Sequence, residues 1–487
     1  MSGSPARDTG RVERLLEDAA ARWPDGLAVV DAAGAMTFAA LQAAVEELAA
    51  ALVTEGVGPG QGLALVAGNG RAFVIGLFAG LRAGATVMPA SPQLAAAELR
   101  AMLDAAGVHA VLDDRVVLPL GPAPATLVAH GSSFGFRRWT ADPDVPMVGH
   151  VPDAAFVRYT SGTTGTAKGV VLGHASVRAR TAAAQEALGL GPSDRVVWVL
   201  PMAWHFVVSI VTYVRAGAAI VVCGDMLSRV VIEACTAHGG TVLYAAPTHY
   251  RMLAADASGQ GMPGLRLAVS TSSGIPEGVA RAFEARFGLP VSQVYGIIEV
   301  GLPVGNLVDG HLHPDAIGRA LPGYEVALLD EAGVEVDEGA VGHLAMRGPG
   351  MFDGYLDPPR RRDEVLEHGW FLTGDLARRD ADGLVVIAGR RKSMINTAGL
   401  KVFPEEVEAV LDAHPSVRAS RVCGEQHPVL GEIVVAQVVP EGEAPGVEAL
   451  RRHCREQLSA YKIPQRITFV DALPRTRSGK VVRHEGT

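Results

Sequence analysis

Cysteine is scarce. Among 487 residues there are four, Cys223, Cys235, Cys423 and Cys454, with no C-x-x-C pair. Zinc and dithiol redox chemistry therefore have no support, and a reduced, cytoplasmic protein is expected. An excess of basic residues is also missing: 43 Lys and Arg face 52 Asp and Glu, a net charge of −9. This argues against nucleic acid as a partner. The amino terminus, MSGSPARDTGRVERLLEDAAARWPDG, lacks the apolar run of a secretion signal. The most lipid-like stretch, Trp204 to Cys223, carries Arg215 near its middle, where a charge costs about 3 kcal/mol in a bilayer. It reads as a buried helix followed by a strand, so no membrane span is expected. There is no internal repeat and no low-complexity tail.

What is present is enough for large cores: 48% of residues are hydrophobic, and the length calls for two or more domains. The 57 Gly and 30 Pro suit the many short connections of an α/β protein. Helical spacing over Thr37 to Gly56 and Leu94 to Gly107 alternates with short apolar runs at Gly62 to Val66 and Ala110 to Leu112, the rhythm of a layered α/β fold. Tyr324 to Leu329 and Gly342 to Met346 read as strands of a smaller sheet or barrel. After the apolar strand Leu384 to Ala388, the charged GRRKS of Gly389 to Ser393 marks a boundary. Beyond it a Pro-led helix at Pro404 to Leu411, a strand at Ile433 to Val439 and an Arg-rich helix at Val447 to Leu458 make a small α+β domain.

Tyr159 to Val170, YTSGTTGTAKGV, holds three glycines, six hydroxyl-bearing residues and a lysine after the apolar Ala154 to Val157. Glycines let backbone N–H groups approach phosphate oxygens, hydroxyls donate further bonds, and Lys168 adds charge. The spacing is not that of a Walker A loop, because Ala167 precedes Lys168 and Gly169 follows it. Alone, the segment also admits the less favoured reading of a Gly-rich surface turn. It resembles, however, the phosphate loop of the adenylate-forming superfamily: acyl-CoA and aryl-CoA synthetases, peptide-synthetase adenylation domains and beetle luciferases. Four further segments resemble that superfamily's motifs in the same order: YGIIE at Tyr295 to Glu299, GWFLTGDL at Gly369 to Leu376, the hinge and following loop at Gly389 to Glu408, and PRTRSGK at Pro474 to Lys480.

The resemblance implies an N-terminal domain, residues 1–388, with layered sheets and a small barrel-like part that binds ATP and the acid. It also implies a hinge at 389–393 and a mobile C-terminal domain, 394–487, carrying the adenylation lysine. Carried over, Ser161, Thr163, Thr164 and Lys168 hold the ATP pyrophosphate, and Ser272, Ser273 and Gly274 border the adenine. Tyr295 lies against the base, Glu299 helps hold Mg²⁺, and Asp375 accepts from the ribose hydroxyls with Arg390 nearby. Lys480 offsets charge during adenylation, Lys392 is the hinge residue, and Gly399 lies beside the pantetheine path. Trp204, His205, Phe206, Ser209, Ile297 and Ile298 line the acid pocket together with the same Ser272 to Gly274, with His205 as gate to the carboxylate and thiol path. By residue type alone, Tyr295 reads as a core aromatic, Asp375 as a turn cap, Glu299 as a solvated charge, His205 as a packed histidine and Lys480 as part of an exposed basic tail.

Where amino-acid-activating relatives place Asp after the gate, Phe206 stands, which implies a non-amino carboxylic acid. Ile298 replaces the superfamily's Thr and removes a hydroxyl, a loss of about 1.5 to 3 kcal/mol if it bonds a charged group. Ala167 replaces Pro, His343 replaces Glu, and STSSGIP at Ser270 to Pro276 is richer in Ser than the usual motif. The implied activity is formation of an acyl-AMP from an aryl or acyl acid, with transfer to CoA or to the pantetheine of a free-standing carrier protein. Competing readings keep the adenylation site but use an amine acceptor or an oxyanion such as nitrite, or make the chain a nucleotide binder without turnover. Light emission of the luciferase type has no feature selecting for it.

Overall fold

The computed structural model describes residues 10–94, 96–114, 120–139, 141–142, 144–159, 168–310, 312–390, 393, 395–397, 400–427, 431–458 and 460–474. It divides into two compact units, one built from most of the chain up to 325 together with 346–371, the other from 326–345 and the chain from 372 onward.

The first unit holds two nine-stranded sheets. In one, Val291–Ile297, Leu267–Ser270, Val242–Ala245, Arg195–Trp198, Ala219–Val222 and Leu27–Asp31 lie side by side and parallel. Antiparallel strands close its two edges. In the other, Ala154–Tyr159, Thr86–Ala90, Gly62–Val66 and Ala110–Asp113 form the parallel centre. Gly62–Val66 and Thr86–Ala90 are buried at every residue, as continuous apolar runs covered on both faces must be. The helix expected from Thr37 onward runs Phe38–Thr54, capped by Thr37 Oγ1, which accepts from the Ala40 amide at 3.2 Å. Its Leu41, Val45, Leu48 and Leu52 make one buried stripe.

Trp204 to Cys223 is helical and then extended, as its pattern required, but the helix is not uniform. Met202–His205 is α, Val207–Val211 is a π-turn, Thr212–Ala216 is α again, and the strand is Ala219–Val222. Among the described residues no helix is long and apolar enough to cross a membrane.

In the second unit the expected small sheet has four strands, in the order Glu325–Leu329, Gly342–Arg347, Phe371–Arg379, Val385–Arg390. The C-terminal α+β part has five, with Val417–His427 and Arg466–Phe469 flanking the long Gly431–Pro440. Helices Pro404–Asp412 and Val447–Gln457 pack Val407, Leu411, Leu450 and Cys454 into its core. The α/β class read from the sequence therefore holds, with a large layered part and a small one. All four cysteines are free; burial pushes the Cys223 and Cys235 thiols up to about 12.

One buried base ties the N-terminal segment to the first unit. His174, at the start of helix His174–Leu188, accepts the Val12 amide on Nδ1 at 3.0 Å. Burial, with the charges of Arg11 and Arg178, pushes its pKa down to about 3. The unfolded chain takes up a proton below the ordinary value near 6.5 and the folded chain does not, so stability falls as pH drops through that value. Between about pH 8 and pH 5 this amounts to about 2 kcal/mol. His249 is shifted the same way and adds to it. We expect the denaturant midpoint to fall over that window, and His174→Asn, which keeps an acceptor but does not titrate, to flatten the slope.

Candidate functional site

The first sheet reverses its order at Arg195–Trp198, with Ala219–Val222 on one side and Val242–Ala245 on the other. Ligand crevices of open α/β sheets form outside the carboxyl ends of strands at such a point. The segments leaving those ends here are Pro201 to His205 after Trp198, Thr271 to Gly274 after Ser270, and Ile298 to Glu299 after the strand that carries Tyr295 and Ile297. Strand register thus gathers at one edge three segments separated by many residues in the chain.

Side chains from outside the motifs pin these segments by their backbones. Asn69 Nδ2 donates to the Leu200 carbonyl and Asn69 Oδ1 accepts the Met202 amide, both at 2.8 Å. Gln293 accepts the Ile275 amide at 2.7 Å and donates to the Ala316 carbonyl at 2.9 Å. The Ser272 to Gly274 loop is thereby fixed, with Ser272 in the left-handed region at φ 76° and all three residues exposed. Trp204 and His205 are half-buried. The His205 ring lies edge-on to Trp198 at 6.5 Å, and Trp198 stacks on Tyr244 at 5.6 Å. Phe206 and Ser209, expected in the same pocket, point into the core. Phe206 is fully buried with its ring 4.9 Å from Phe156, and the Ser209 hydroxyl donates to the His205 carbonyl. The intervening π-turn, closed by the Val211 amide on the Phe206 carbonyl at 3.0 Å, is the kind of local widening that often accompanies functional sites.

Tyr295, Ile297, Ile298 and Glu299 are all half-buried. The Glu299 carbonyl accepts the Phe352 amide at 2.7 Å, and its carboxylate Oε1 accepts the Tyr355 hydroxyl at 3.1 Å. Lys168 Nζ stands 4.8 Å from the centre of the same Tyr355 ring. Burial and the Glu299 charge push the Tyr355 phenol upward, so it stays a donor. Beneath this group lies Arg180, fully buried, whose Nε donates to the Gly350 carbonyl and Nη1 to the Ile298 carbonyl, both at 2.7 Å. Burial lowers its pKa to about 10, with Tyr324, Asp353 and Glu299 opposing, so it stays charged at neutral pH. Gly350 sits at φ 69°, and a Cβ there would fall 2.2 Å from the Ser176 carbonyl. Only glycine allows this approach.

In the second unit Asp375 is buried and lies directly opposite Arg390 across two antiparallel strands. The Asp375 amide donates to Thr373 Oγ1 at 3.1 Å, and that hydroxyl donates to the Leu344 carbonyl at 2.9 Å. His343 Nε2 is 3.2 Å from Glu331. Ser161, Thr163, Thr164, Lys392, Gly399 and Lys480, and the side chain of Arg390, lie outside the described residues. Tyr355, Arg180, Asn69 and Gln293 are the additions that motif reading missed. The one signal for Arg180 was a charge within an alanine-rich helix.

Comparison with known proteins decides the family. The AMP-binding enzyme model matches residues 16–356, and the model of the AMP-binding enzyme C-terminal domain matches 406–480. The chain belongs to the AMP-binding enzyme family. It is 33% identical to a sulfoacetate–CoA ligase of Cupriavidus necator, over 96% of each chain. Among solved structures it is similar to the amide bond synthetase McbA of Marinactinospora thermotolerans, with a TM-score of 0.83, 28% identity, and 96% and 97% of the two chains covered. It is equally similar to ATP-bound MatB of Rhodopseudomonas palustris, with a TM-score of 0.83, 27% identity and 97% of each chain covered. The superfamily resemblance carried by the five motifs is thus confirmed, and so is the fold it implied.

Arg180 is fully buried and anchors two carbonyls. Its replacement by Met leaves both without a donor, and we expect a loss of about 2 to 4 kcal/mol in unfolding free energy. Arg180→Lys should recover only part of it, because an ammonium does not reproduce the guanidinium fork. Chemical denaturation of the three proteins measures this.

Proposed function

We propose that the protein uses ATP to convert a non-amino aryl or acyl carboxylic acid into an acyl-AMP, releasing pyrophosphate, and then transfers the acyl group to a thiol. The observation that carries this reading is the convergence of Trp204 and His205, Ser272 to Gly274, and Tyr295 to Glu299 at one strand-end edge. In the first half-reaction a carboxylate oxygen of the acid attacks the α-phosphorus and the bond to pyrophosphate breaks. In the second, a thiolate attacks the acyl carbonyl and AMP leaves. Catalysis of such steps rests on positioning and electrostatics.

Ser161, Thr163, Thr164 and Lys168 are assigned to the phosphates, and Ser272, Ser273, Gly274 and Tyr295 to the adenine. Asp375 with Arg390 takes the ribose, and His205 the path of carboxylate and thiol. Residues 394–487, turning about Lys392, bring Lys480 to the reacting groups, with Gly399 beside the thiol path. Glu299 suits Mg²⁺: a single carboxylate with an oxygen beyond its Tyr355 bond fits a cation that takes one or two carboxylates together with phosphate oxygens and water. Bound there, Mg²⁺ supplies charge neutralisation to the phosphates. A non-amino acid is supported by Phe206, whose buried ring provides no carboxylate for an ammonium. The ligase named for sulfoacetate supports CoA as the acceptor; a carrier-protein pantetheine offers the same thiol.

A second reading, an amine in place of the thiol, is favoured by the likeness to an amide bond synthetase over nearly the whole chain. Pyrophosphate release with ATP and Mg²⁺ across aryl and aliphatic acids, with CoA, an amine or neither, separates the two. We expect acid-dependent release, a thioester product with CoA, and a fall of about 100-fold in Lys480→Ala. An amide formed without any thioester selects the second reading. Acid-independent ATP binding without release, indifferent to Lys480, reduces the chain to a nucleotide binder.

A further inference from the structure

Tyr355 belongs to none of the motifs, yet it contacts the two residues on which the phosphate and metal assignments of the first unit rest. Its hydroxyl donates to Glu299 Oε1 at 3.1 Å, and its ring lies 4.8 Å from Lys168 Nζ. Topology enforces the arrangement. The short strand Gly354–Tyr355 pairs antiparallel with Gly169–Gly173, Tyr355 opposite Val170, and the Leu356 amide donates to the Gly169 carbonyl at 2.7 Å. Lys168 immediately precedes that strand. From the other side, the Phe352 amide on the Glu299 carbonyl brings the carboxylate to the same short segment. Tyr355 is 6% exposed and packs on Phe352 at 5.0 Å, so its ring has one place to sit.

We propose that Tyr355 is a positioning residue that couples Lys168 to Glu299, so that binding of the ATP phosphates and binding of the divalent cation reinforce one another. The inference rests on the assignment of this edge to ATP and Mg²⁺. A phenol that donates to one carboxylate oxygen does not occupy the other, which can take a cation or its water although the buried Arg158 guanidinium also faces this carboxylate, and the ring face holds the ammonium beside it by cation–π attraction. The two contacts use different parts of the side chain and are separable. Tyr355→Phe keeps the ring and loses the donor; Tyr355→Leu loses both.

The test is calorimetric titration of the full chain with ATP at a series of Mg²⁺ concentrations, together with thermal melting. We expect Tyr355→Phe to bind metal-free ATP as the unaltered protein does but to need about tenfold more Mg²⁺ for the same gain in affinity. Tyr355→Leu should also weaken metal-free binding. Should either variant melt early, Lys168→Met and Glu299→Gln, singly and combined with Tyr355 in place, close a double-mutant cycle on ATP affinity in the presence of Mg²⁺. A second substitution that adds nothing to the first supports the coupling. Strict additivity overturns it, as does an unchanged Mg²⁺ dependence in Tyr355→Phe. If the unaltered protein binds no ATP at any Mg²⁺ concentration, the functional assignment itself fails and takes the coupling with it, an outcome distinct from ATP binding that is blind to Tyr355.

Discussion

A guanidinium in a dry interior tolerates few arrangements, because each unmet donor or charge there is costly. Arg180 meets part of this demand through Nε and Nη1, which bond the carbonyls of Gly350 and Ile298, while its buried Nη2 has no hydrogen-bond partner among the described residues. The helix that begins at His174 is joined to the segment leaving the Val291–Ile297 strand and to the segment leading to Tyr355. Gly350 must be glycine because the helix backbone passes so close. The strand Gly354–Tyr355 is then free to add to the edge of the second sheet. The corner is thus built around a charge bonded to backbone at two of its three nitrogens, and the YGIIE segment is tied to it through the Ile298 carbonyl.

The motifs and the chain's rhythm were legible because they are local. Buried runs such as Gly62–Val66, the Thr37 cap and the Pro-led helix at Pro404 each declare themselves within a few residues. Asp375 and Arg390, drawn together in the sequence only through their resemblance-based assignment to one sugar, lie opposite one another in strand register. What could not be read was tertiary. Arg180 is one charge in an alanine-rich helix, and nothing in the spacing tells a solvated arginine from a buried one. Tyr355 acquires its meaning from a strand pairing with residues far earlier in the chain. Phe206 and Ser209 share a segment with Trp204 and His205, but the π-turn that directs them into the core depends on packing against Phe73 and Phe156, which periodicity does not encode.

Charge is distributed unevenly between frame and edge. Arg180, Asp194 and His174 lie buried with designated partners inside the first unit, while Lys168 at the edge is exposed. The buried groups hold their protonation states: His174 stays neutral through burial, and Asp194 stays ionised because the hydrogen bonds of Arg266, Thr241 and the Gly191 amide outweigh its burial. The exposed ammonium rests over the Tyr355 ring at a surface open to solvent, whereas the guanidinium is enclosed.

Asn69, Gln293 and Arg180 share a habit: each grips peptide groups of the crevice segments, at Leu200, Met202, Ile275 and Ile298, and leaves their side chains untouched. A clamp of this kind does not register which residue it holds. The frame can therefore persist while the lining drifts, and a chain with isoleucine at 298 keeps the same carbonyl in the same grip as one with threonine would. Such an edge is an evolvable surface, open to new substrates one substitution at a time without refolding the scaffold beneath it.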